Sequence, residues 1–392
     1  MKEKSKNLLQ SFFGIKIRLW AVLLACAIFA GGGYYLNARK TRQAFGGSEG
    51  YAAAQKYLSV QKVVDENFVG EENNDAMSDA ACAAMVKSLG DQWSYYMTAS
   101  EYEAYKLYSA NQYQGIGVTI SAEQSGDGYE ITSVSAGSPA EAAGIKAGDV
   151  MLAVGGQSVK GLTVDEVRTL IRSHLNETVT LSIKSGGTTA DVSVDCTVIY
   201  KEPVTYELKD KGVGFIRIEN FESGAGDKAV SAVDDLLSQG ATSLVFDVRG
   251  NPGGLLSELL KILDHLLPEG DLFVSVNEAG EENVTKSDAV CIQVPMAVLV
   301  NADSYSAAEF FAAALKEYNW ATVVGEQTTG KGRSQITVEL PDGSAVHISN
   351  NKYLTPLRVD LSEQGGLFPD VPVVMTSEGD AQLDAAIAAV VG

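Results

Sequence analysis

Residues 243–254, SLVFDVRGNPGG, place an apolar strand directly before a glycine-rich turn. Further apolar segments alternate with amphipathic segments on both sides of this stretch. They predict strands at GVGFIRIENF, CIQVPMAVLVN, ATVVGE and SQITVEL, and helices at 229–237, 255–267 and 307–318. Strands that are apolar along their whole length are typical of a parallel sheet covered by helices on both faces. Residues 195–392 are therefore predicted to form an α/β domain with buried, largely parallel strands.

The glycine-rich turn, from Asp247 to Gly254, leads from this strand into a helix. Backbone N–H groups at the start of a helix can lack partners and then stabilise a developing negative charge. Many turns between a strand and a helix look similar, so the turn by itself does not establish a site. Charged groups beside glycine turns more often brace loops than react, and Asp247 and Arg249 are expected to be structural.

A second junction between a strand and a helix, NADSYSAAE at 301–309, contains Ser306. Ser306 and Glu309 have the spacing of a capping box, in which the serine does no more than cap its helix. Alternatively, the Ser306 hydroxyl lies at the positive end of the helix, and the amide of Ala307 points to where an oxyanion would form. Judged from these residues alone, the capping interpretation is favoured.

Residues 325–332, GEQTTGKG, match a phosphate-binding loop except at the last position, where Gly332 replaces the Ser or Thr that binds Mg²⁺. Such a loop must also run into a helix, whereas the following RSQITVEL predicts a strand. A nucleotide site is therefore not expected. A lysine can serve as the base for a serine when burial lowers its pKa, and the loop that holds Lys331 is a plausible place for this.

Between the N-terminal region and the α/β domain, short strands alternate with glycine-rich turns and two capped helices. Together with the stretch SPAEAAGIKAGDVMLAV at 138–154, they resemble a PDZ domain. The resemblance implies that the loop Gly115, Ile116, Gly117, Val118 presents amides to the terminal carboxylate of a peptide. It also implies that the second helix contacts the ligand side chain through Val167 and through Leu170 or Ile171. Without the resemblance, the loop glycines indicate only a tight entry into a strand.

The N-terminal segment contains an uncharged run of 18 residues from Leu19 to Leu36, about 27 Å long as a helix. More Lys and Arg residues precede the run than follow it, which favours a membrane anchor with its N-terminus inside the cell. A cleaved signal peptide is the alternative. With either interpretation, the rest of the chain is expected to lie outside the cytoplasm.

The charge of the chain is asymmetric. The formal net charge is −20, but residues 43–392 alone carry 22 Lys and Arg against 49 Asp and Glu, a net of −27. So acidic a body repels phosphate backbones, and nucleic-acid binding is not expected. The four cysteines form no CxxC pair and the three histidines are scattered, so neither a disulfide framework nor a metal site is expected.

Three motifs behind the PDZ-like region, FDVRGNPGG, SYSAAE and VGEQTTGKGRSQ, resemble in this order the carboxyl-terminal processing proteases. That family has a serine and a lysine 25 residues apart and a glutamine four residues further on, and Ser306, Lys331 and Gln335 fit both spacings. The segment SLGDQWSYY at 88–96 resembles the family's entry to its PDZ domain. Departures occur at Tyr305, at Thr329 and after Arg172.

The resemblance implies a serine endopeptidase in which Lys331 is the base, Ser306 the nucleophile and Gln335 the residue that orients the lysine. It implies an oxyanion hole made by the amides of Gly254 and Ala307, with Gly253 as the other candidate, and it requires no metal or cofactor. Protein or peptide substrates with free C-termini are the expected partners, and homo-oligomers built through the N-terminal helices are favoured. A catalytically inactive PDZ scaffold that binds C-terminal tails is the alternative.

The chain is accordingly predicted to be an α/β multidomain protein with four parts. These are a cytoplasmic tail and transmembrane helix at 1–43, a helical N-terminal region at 44–110, a PDZ domain at 111–194 and an α/β protease core at 195–392. The PDZ domain is expected to be rich in strands, with two helices.

Overall fold

The computed structural model describes residues 21, 23–24, 26–30, 32, 34–375 and 379–391. Residues 1–20 of the predicted tail and anchor, and positions 22, 25, 31 and 33 within it, lie outside the described residues. None of the helices in the described ranges has both the length and the apolar character that crossing a membrane requires. The chain divides into two compact units, Met1–Ser78 and Asp79–Gly392.

The region predicted to be helical, 44–110, contains three helices and one strand that the prediction missed. The helices are α1 (Ser48–Asn67), α2 (Asn74–Lys87) and α3 (Ala99–Ser109), and the strand is β1 (Tyr95–Met97). The prediction that the whole region is helical is therefore wrong at 95–97. Three residues carry too little local pattern to indicate a strand, and this one forms by pairing with a strand some 250 residues further along the chain.

The strand-rich part of the second unit is a single sheet of seven strands. They are β2 (Gln112–Gly115), β3 (Val118–Ile120), β4 (Tyr129–Val134), β5 (Val150–Val154), β6 (Gln157–Ser158), β7 (Glu177–Ser185) and β8 (Thr188–Tyr200). Their order is β2-β8-β7-β5-β4-β3, with β6 paired to β5. Two helices, α4 (Pro139–Ala142) and α5 (Val164–Arg172), begin at the N-caps Ser138 and Thr163, as their capping patterns predict.

The remainder of the second unit is the α/β core. Its strands are β9 (Val204–Lys209), β10 (Val213–Ile218), β11 (Ser243–Asp247), β12 (Gly270–Val276), β13 (Glu282–Ser287), β14 (Met296–Val300), β15 (Ala321–Gly325), β16 (Arg333–Glu339), β17 (Ala345–Leu354) and β18 (Val371–Pro372). Its helices are α6 (Ala225–Ser238), α7 (Leu256–Leu266), α8 (Ala307–Glu317), α9 (Leu361–Gln364) and α10 (Ala381–Val391), and a short 3₁₀ turn covers Asp210–Gly212.

The main sheet of the core has the order β18-β15-β14-β11-β10-β9. Every neighbouring pair is parallel except β9 with β10. Strands β11 and β14 are buried at every position, because α6, α7 and α8 pack against a core on one face and α10 packs on the other. These observations confirm the predicted buried, largely parallel sheet.

A second, antiparallel sheet of the core was not predicted from the sequence. It has the order β1-β17-β12-β13, with β16 also paired to β17. Strand β16 is predicted at SQITVEL, but its sequence does not show that it pairs with β17 outside the main sheet. Strand β13 is half exposed and largely polar, and it lacks the apolar run that identifies β11 and β14. This sheet matters for the site, because Lys331 lies directly before β16 and Tyr95 of β1 pairs with His347 of β17.

Candidate active site

A cavity of about 480 Å³ brings all six predicted catalytic and oxyanion residues together. Gly253 and Gly254 lie in the turn after β11, Ser306 ends the turn after β14, and Ala307 begins α8. Since β11 and β14 are parallel neighbours, the loops that follow their carboxyl ends meet at one edge of the sheet. Lys331 lines the cavity from the loop before β16, and Gln335 lines it from β16 itself.

Ser306 has an unusual backbone conformation at the start of α8. It is the N-cap residue of that helix, with φ 59° and ψ −124°, in a region that residues other than glycine rarely adopt. Such a conformation costs on the order of 1–3 kcal/mol and is typical of active sites. The Ser306 amide donates to Glu309 Oε2 at 2.9 Å, so a cap contact is present at a residue that also lines the cavity.

Glu309 ties the serine turn to the lysine loop. Its carboxylate is fully buried and accepts four hydrogen bonds. Oε2 accepts from the amides of Ser306 and Lys331, both at 2.9 Å. Oε1 accepts from the Gly330 amide at 2.6 Å and from Thr328 Oγ1 at 2.5 Å. The capping-box pattern indicates only the first of these contacts, so the sequence gives no sign that Glu309 also binds the loop of Lys331.

Lys331 has the electrostatic environment that a basic amine requires. Burial lowers its pKa to about 8, although the carboxylates of Asp91, Glu309 and Glu222 act in the opposite direction. Its Nζ lies 4.7 Å from the centroid of the Trp93 ring. Among the described residues, no hydrogen bond joins Lys331 Nζ to Ser306 Oγ, so the two groups share a cavity without direct engagement.

Trp93 is a residue of the site that sequence reasoning missed. Its turn is held by Asp91, which accepts from the Trp93 amide at 3.2 Å and from Ser94 Oγ at 2.6 Å. The ring also packs against Tyr305, with centroids 5.8 Å apart. The segment DQWSYY resembles the family's entry to its PDZ domain, but nothing in it indicates that the tryptophan covers the lysine.

Gln335 lines the cavity but is not bonded to the lysine. Its Nε2 donates to the carbonyl of Arg333 at 2.8 Å and to Ser349 Oγ at 3.2 Å. The orienting contact that the family resemblance implies, between Gln335 and Lys331, is therefore not made in this arrangement.

The two glycines of the turn after β11 differ in whether their backbone N–H group already donates a hydrogen bond. The Gly253 amide already donates to Asn251 Oδ1 at 2.8 Å. Among the described residues, the amides of Gly254 and Ala307 have no acceptor, which makes them the better pair of oxyanion donors. Gly253 instead permits close approach, because a Cβ there would lie 2.7 Å from the Ser306 Cβ.

Asp247 and Arg249 brace the loop that carries these glycines. Asp247 is buried and accepts from Arg217 at 3.0 Å and from Arg249 at 2.7 and 2.9 Å. Arg249 also binds Asp380 just before α10. Burial alone would lower the pKa of its guanidinium, but the carboxylates of Asp247 and Asp380 outweigh burial and raise the pKa. Within the described ranges, no group of three or more His, Cys, Asp and Glu side chains could hold a metal ion.

A second cavity, of about 220 Å³, lies in the seven-stranded part of the unit. The loop residues Gly115, Ile116, Gly117 and Val118 line it on one side, and α5 lines it on the other through Val164, Arg168, Ile171 and Arg172. Of the helix residues predicted to face a ligand, only Ile171 lines the groove. Val167 is fully buried in the core and Leu170 packs against that core. Ile171 belongs to the same core but lies at the border of the groove, next to Val164 and Arg168 on the helix surface.

The fold and the site together resemble a peptidase domain of the S41 family joined to a PDZ domain. A model of peptidase family S41 matches residues 212–373, and a PDZ domain model matches residues 130–185. The relatives found by comparison are described as CtpA-like serine proteases and as a C-terminal processing protease, and the chain is similar to them.

A "Probable CtpA-like serine protease" of Staphylococcus aureus (strain MRSA252) is 35% identical over 326 residues, which cover 82% of this chain and 65% of that protein. A protein of the same description from Staphylococcus epidermidis is 30% identical over a match that covers 82% of this chain and 66% of that protein. The chain thus spans about 65% of the length of these curated relatives. Among solved structures, the photosystem II D1 C-terminal processing protease is 27% identical with a TM-score of 0.50, over 87% of this chain and 92% of that one.

Proposed function

We propose that the protein is a serine endopeptidase that cleaves proteins or peptides after capturing their free C-termini. The observation that carries the proposal is the shared cavity of Ser306 and Lys331. Ser306 lies at the start of a helix, next to two amides that have no acceptor among the described residues. The lowered pKa of Lys331 supports its use as a base, because a neutral amine is then available near neutral pH.

In the proposed mechanism, the neutral Lys331 amine takes the hydroxyl proton as Ser306 Oγ bonds to the scissile carbonyl carbon. The amides of Gly254 and Ala307 hold the resulting oxyanion. Lys331 then returns the proton to the leaving amine as the peptide C–N bond breaks, and water releases the acyl group from Ser306. Since Lys331 Nζ lies over Trp93, engagement requires the lysine side chain to move from the ring toward Ser306.

Capture of a tail is assigned to the groove between the loop 115–118 and α5. A peptide with a free apolar C-terminus is then expected to be cleaved faster than the same peptide amide. The uncharged run from Leu19 to Leu36 supports anchoring to the cell membrane with the rest of the chain outside the cytoplasm. Assembly into homo-oligomers rests on the family resemblance and would be measured as the mass of the detergent-solubilised chain.

Labelling with a serine-directed fluorophosphonate tests the proposed activity. The wild type is expected to be labelled at Ser306, and Ser306→Ala to be unlabelled. Ser231→Ala, which removes an exposed serine on α6, is the matched control and should label as the wild type does. A wild type that resists labelling, or equal labelling of Ser306→Ala, would overturn the proposal.

A further inference from the structure

Glu222 lies at the edge of the catalytic cavity and has a buried carboxyl oxygen without a hydrogen-bond partner among the described residues. Its side chain lines the same cavity as Ser306, and the residue is only 6% exposed. Among the described residues, Glu222 Oε2 and Ser109 Oγ are the two buried side-chain oxygen or nitrogen atoms with no hydrogen bond. Burial raises the pKa of the Glu222 carboxyl to about 7, although Ser109 and Lys331 act in the opposite direction. Ser109 Oγ lies close, but the two atoms lack the geometry of a hydrogen bond.

The backbone around Glu222 is fixed, so the unpaired carboxyl is not the result of a loose loop. The Glu222 amide donates to Asn220 Oδ1 at 2.9 Å. The neighbouring Phe221 donates to the Gly253 carbonyl and accepts from the Leu255 amide, both at 2.7 Å. Glu222 is thereby held directly beside the glycines of the oxyanion turn. A buried polar group that is rigidly held and left without a partner is most simply explained by a ligand that supplies one.

The walls of the cavity near Glu222 are aromatic. Tyr95, Tyr105 and Tyr108 all line it. Burial, with a further contribution from the Glu222 charge, raises the pKa of both Tyr95 and Tyr108 to about 12, so both remain neutral phenols. Aromatic ring faces attract cations, and a carboxylate supplies the matching charge. This combination suits an ammonium or guanidinium group.

The charge balance of the cavity favours the same ligand. Glu222 and Lys331 are the only Asp, Glu, Lys or Arg side chains among the described residues that line it. The proposed mechanism needs Lys331 in its neutral form, which it takes above about pH 8. Since the pKa of Glu222 is about 7, its carboxylate is then charged and has no counter-charge among the described residues that line the cavity. A cation brought by the substrate would provide that counter-charge when the lysine is neutral.

We propose that Glu222, with Tyr95, Tyr105 and Tyr108, forms a subsite for a lysine or arginine side chain of the substrate. Glu222 is then a specificity-determining residue, since it discriminates between substrates without taking part in the chemistry. The inference rests on the proposed peptidase function. The excess negative charge of residues 43–392 would also attract cationic substrates to the protein.

A paired substitution series tests the subsite on the full chain in detergent. Each position of a cleaved neutral peptide is replaced in turn by lysine and by norleucine, which has a similar length but no charge. At one position, lysine is expected to exceed norleucine in kcat/KM by about tenfold. In Glu222→Gln this advantage should fall to about twofold or less. The quantity compared is the ratio of kcat/KM for the lysine and norleucine peptides within each protein, so a change in the pKa of Lys331 acts on both peptides alike, and fluorophosphonate labelling of Ser306 shows that the variant is still reactive.

The matched control is Glu278→Gln, which removes the same charge from an exposed position of the α/β core and should keep the tenfold preference. The proposal is overturned if lysine exceeds norleucine at no position, or if the preference survives in Glu222→Gln. A binding measurement distinguishes failure of the proposed subsite from failure of the proposed peptidase function. The compound n-butylguanidine should raise the melting temperature of the wild type but not of Glu222→Gln, and an equal effect on both would overturn the subsite whether or not the protein cleaves peptides.

Discussion

The buried carboxylates of Glu309 and Glu222 differ in the hydrogen bonds that their surroundings provide. Glu309 accepts four hydrogen bonds from the turn of Ser306 and the loop of Lys331, whereas the side chain of Glu222 receives none among the described residues. In the first region, the carboxylate holds the turn of Ser306 and the loop of Lys331 in a fixed relation. The second is as rigid in its backbone but leaves its carboxylate open to the cavity. The difference separates the structural part of the site from the part that is free to bind a ligand.

The largest effects are expected at the two residues that Glu309 positions. Ser306→Ala and Lys331→Ala should each lower kcat/KM by at least about a thousandfold, because the nucleophile or its base is lost. Peptide cleavage by the full chain measures this, and circular dichroism checks that each variant folds. Lys146→Ala, which changes an exposed lysine, should behave as the wild type. Turnover close to wild type in Lys331→Ala would exclude the lysine as the base.

The glutamates themselves provide a matched pair for stability. In Glu309→Gln the amide group faces donors with its own N–H atoms, so buried donors lose their acceptor and the free energy of unfolding should fall by about 2–4 kcal/mol. In Glu222→Gln no hydrogen bond is lost and a buried charge is removed, so the stability should stay equal or rise. Urea unfolding at pH 8 measures both, and equal destabilisation by the two variants would contradict the comparison.

The contrast between these regions also marks what could be predicted from the sequence. Ser306, Lys331 and the glycines lie in short turns next to apolar strands, where motif spacing is enough to locate them. The contacts of Glu309 with Thr328, and the position of Glu222, depend on which distant loops meet at the edge of the sheet. No local pattern contains that information.

Two other misses have the same origin. Val167 was assigned to the peptide groove, but the apolar stripe of α5 faces the domain core, and the groove is lined by other residues of the helix, Arg168 among them. An apolar pattern identifies the face of a helix that is buried, but not which of its residues border a cavity. The sheet that supports Lys331 was missed because its strands are partly polar and β1 pairs across most of the chain.

The pH dependence should report the charge of Lys331. Since the neutral amine is the active form and burial lowers its pKa to about 8, kcat/KM is expected to rise with pH, to be half-maximal near pH 8 and to level off above it. The facing groups are the carboxylates of Asp91, Glu222 and Glu309, and His347, which burial keeps neutral with a pKa of about 4. A profile measured from pH 6 to 10 that falls as the lysine deprotonates would contradict the assignment.

Glu222→Gln sharpens this measurement. Removing a negative charge that stabilises the protonated lysine should move the rising limb to lower pH. Glu278→Gln, at its exposed position, should leave the limb where it is in the wild type. A limb that is unchanged in Glu222→Gln would show that the two groups are not coupled across the cavity.

The smallest effects are expected at Trp93, where two influences on Lys331 oppose each other. The ring covers the amine and so contributes to the burial that lowers its pKa, but its face also attracts the charged ammonium, 4.7 Å from the ring centroid. Trp93→Phe keeps most of the cover and weakens the attraction to the ring, so the limb should move to lower pH by a few tenths of a unit. Trp93→Ala admits water, so the limb should move to higher pH, toward the ordinary pKa of lysine. The pH profiles of kcat/KM for the two variants test this. Shifts in the same direction would mean that either the burial of the amine or its attraction to the ring is negligible. An unchanged limb in both variants would mean that Trp93 does not control the charge of the lysine.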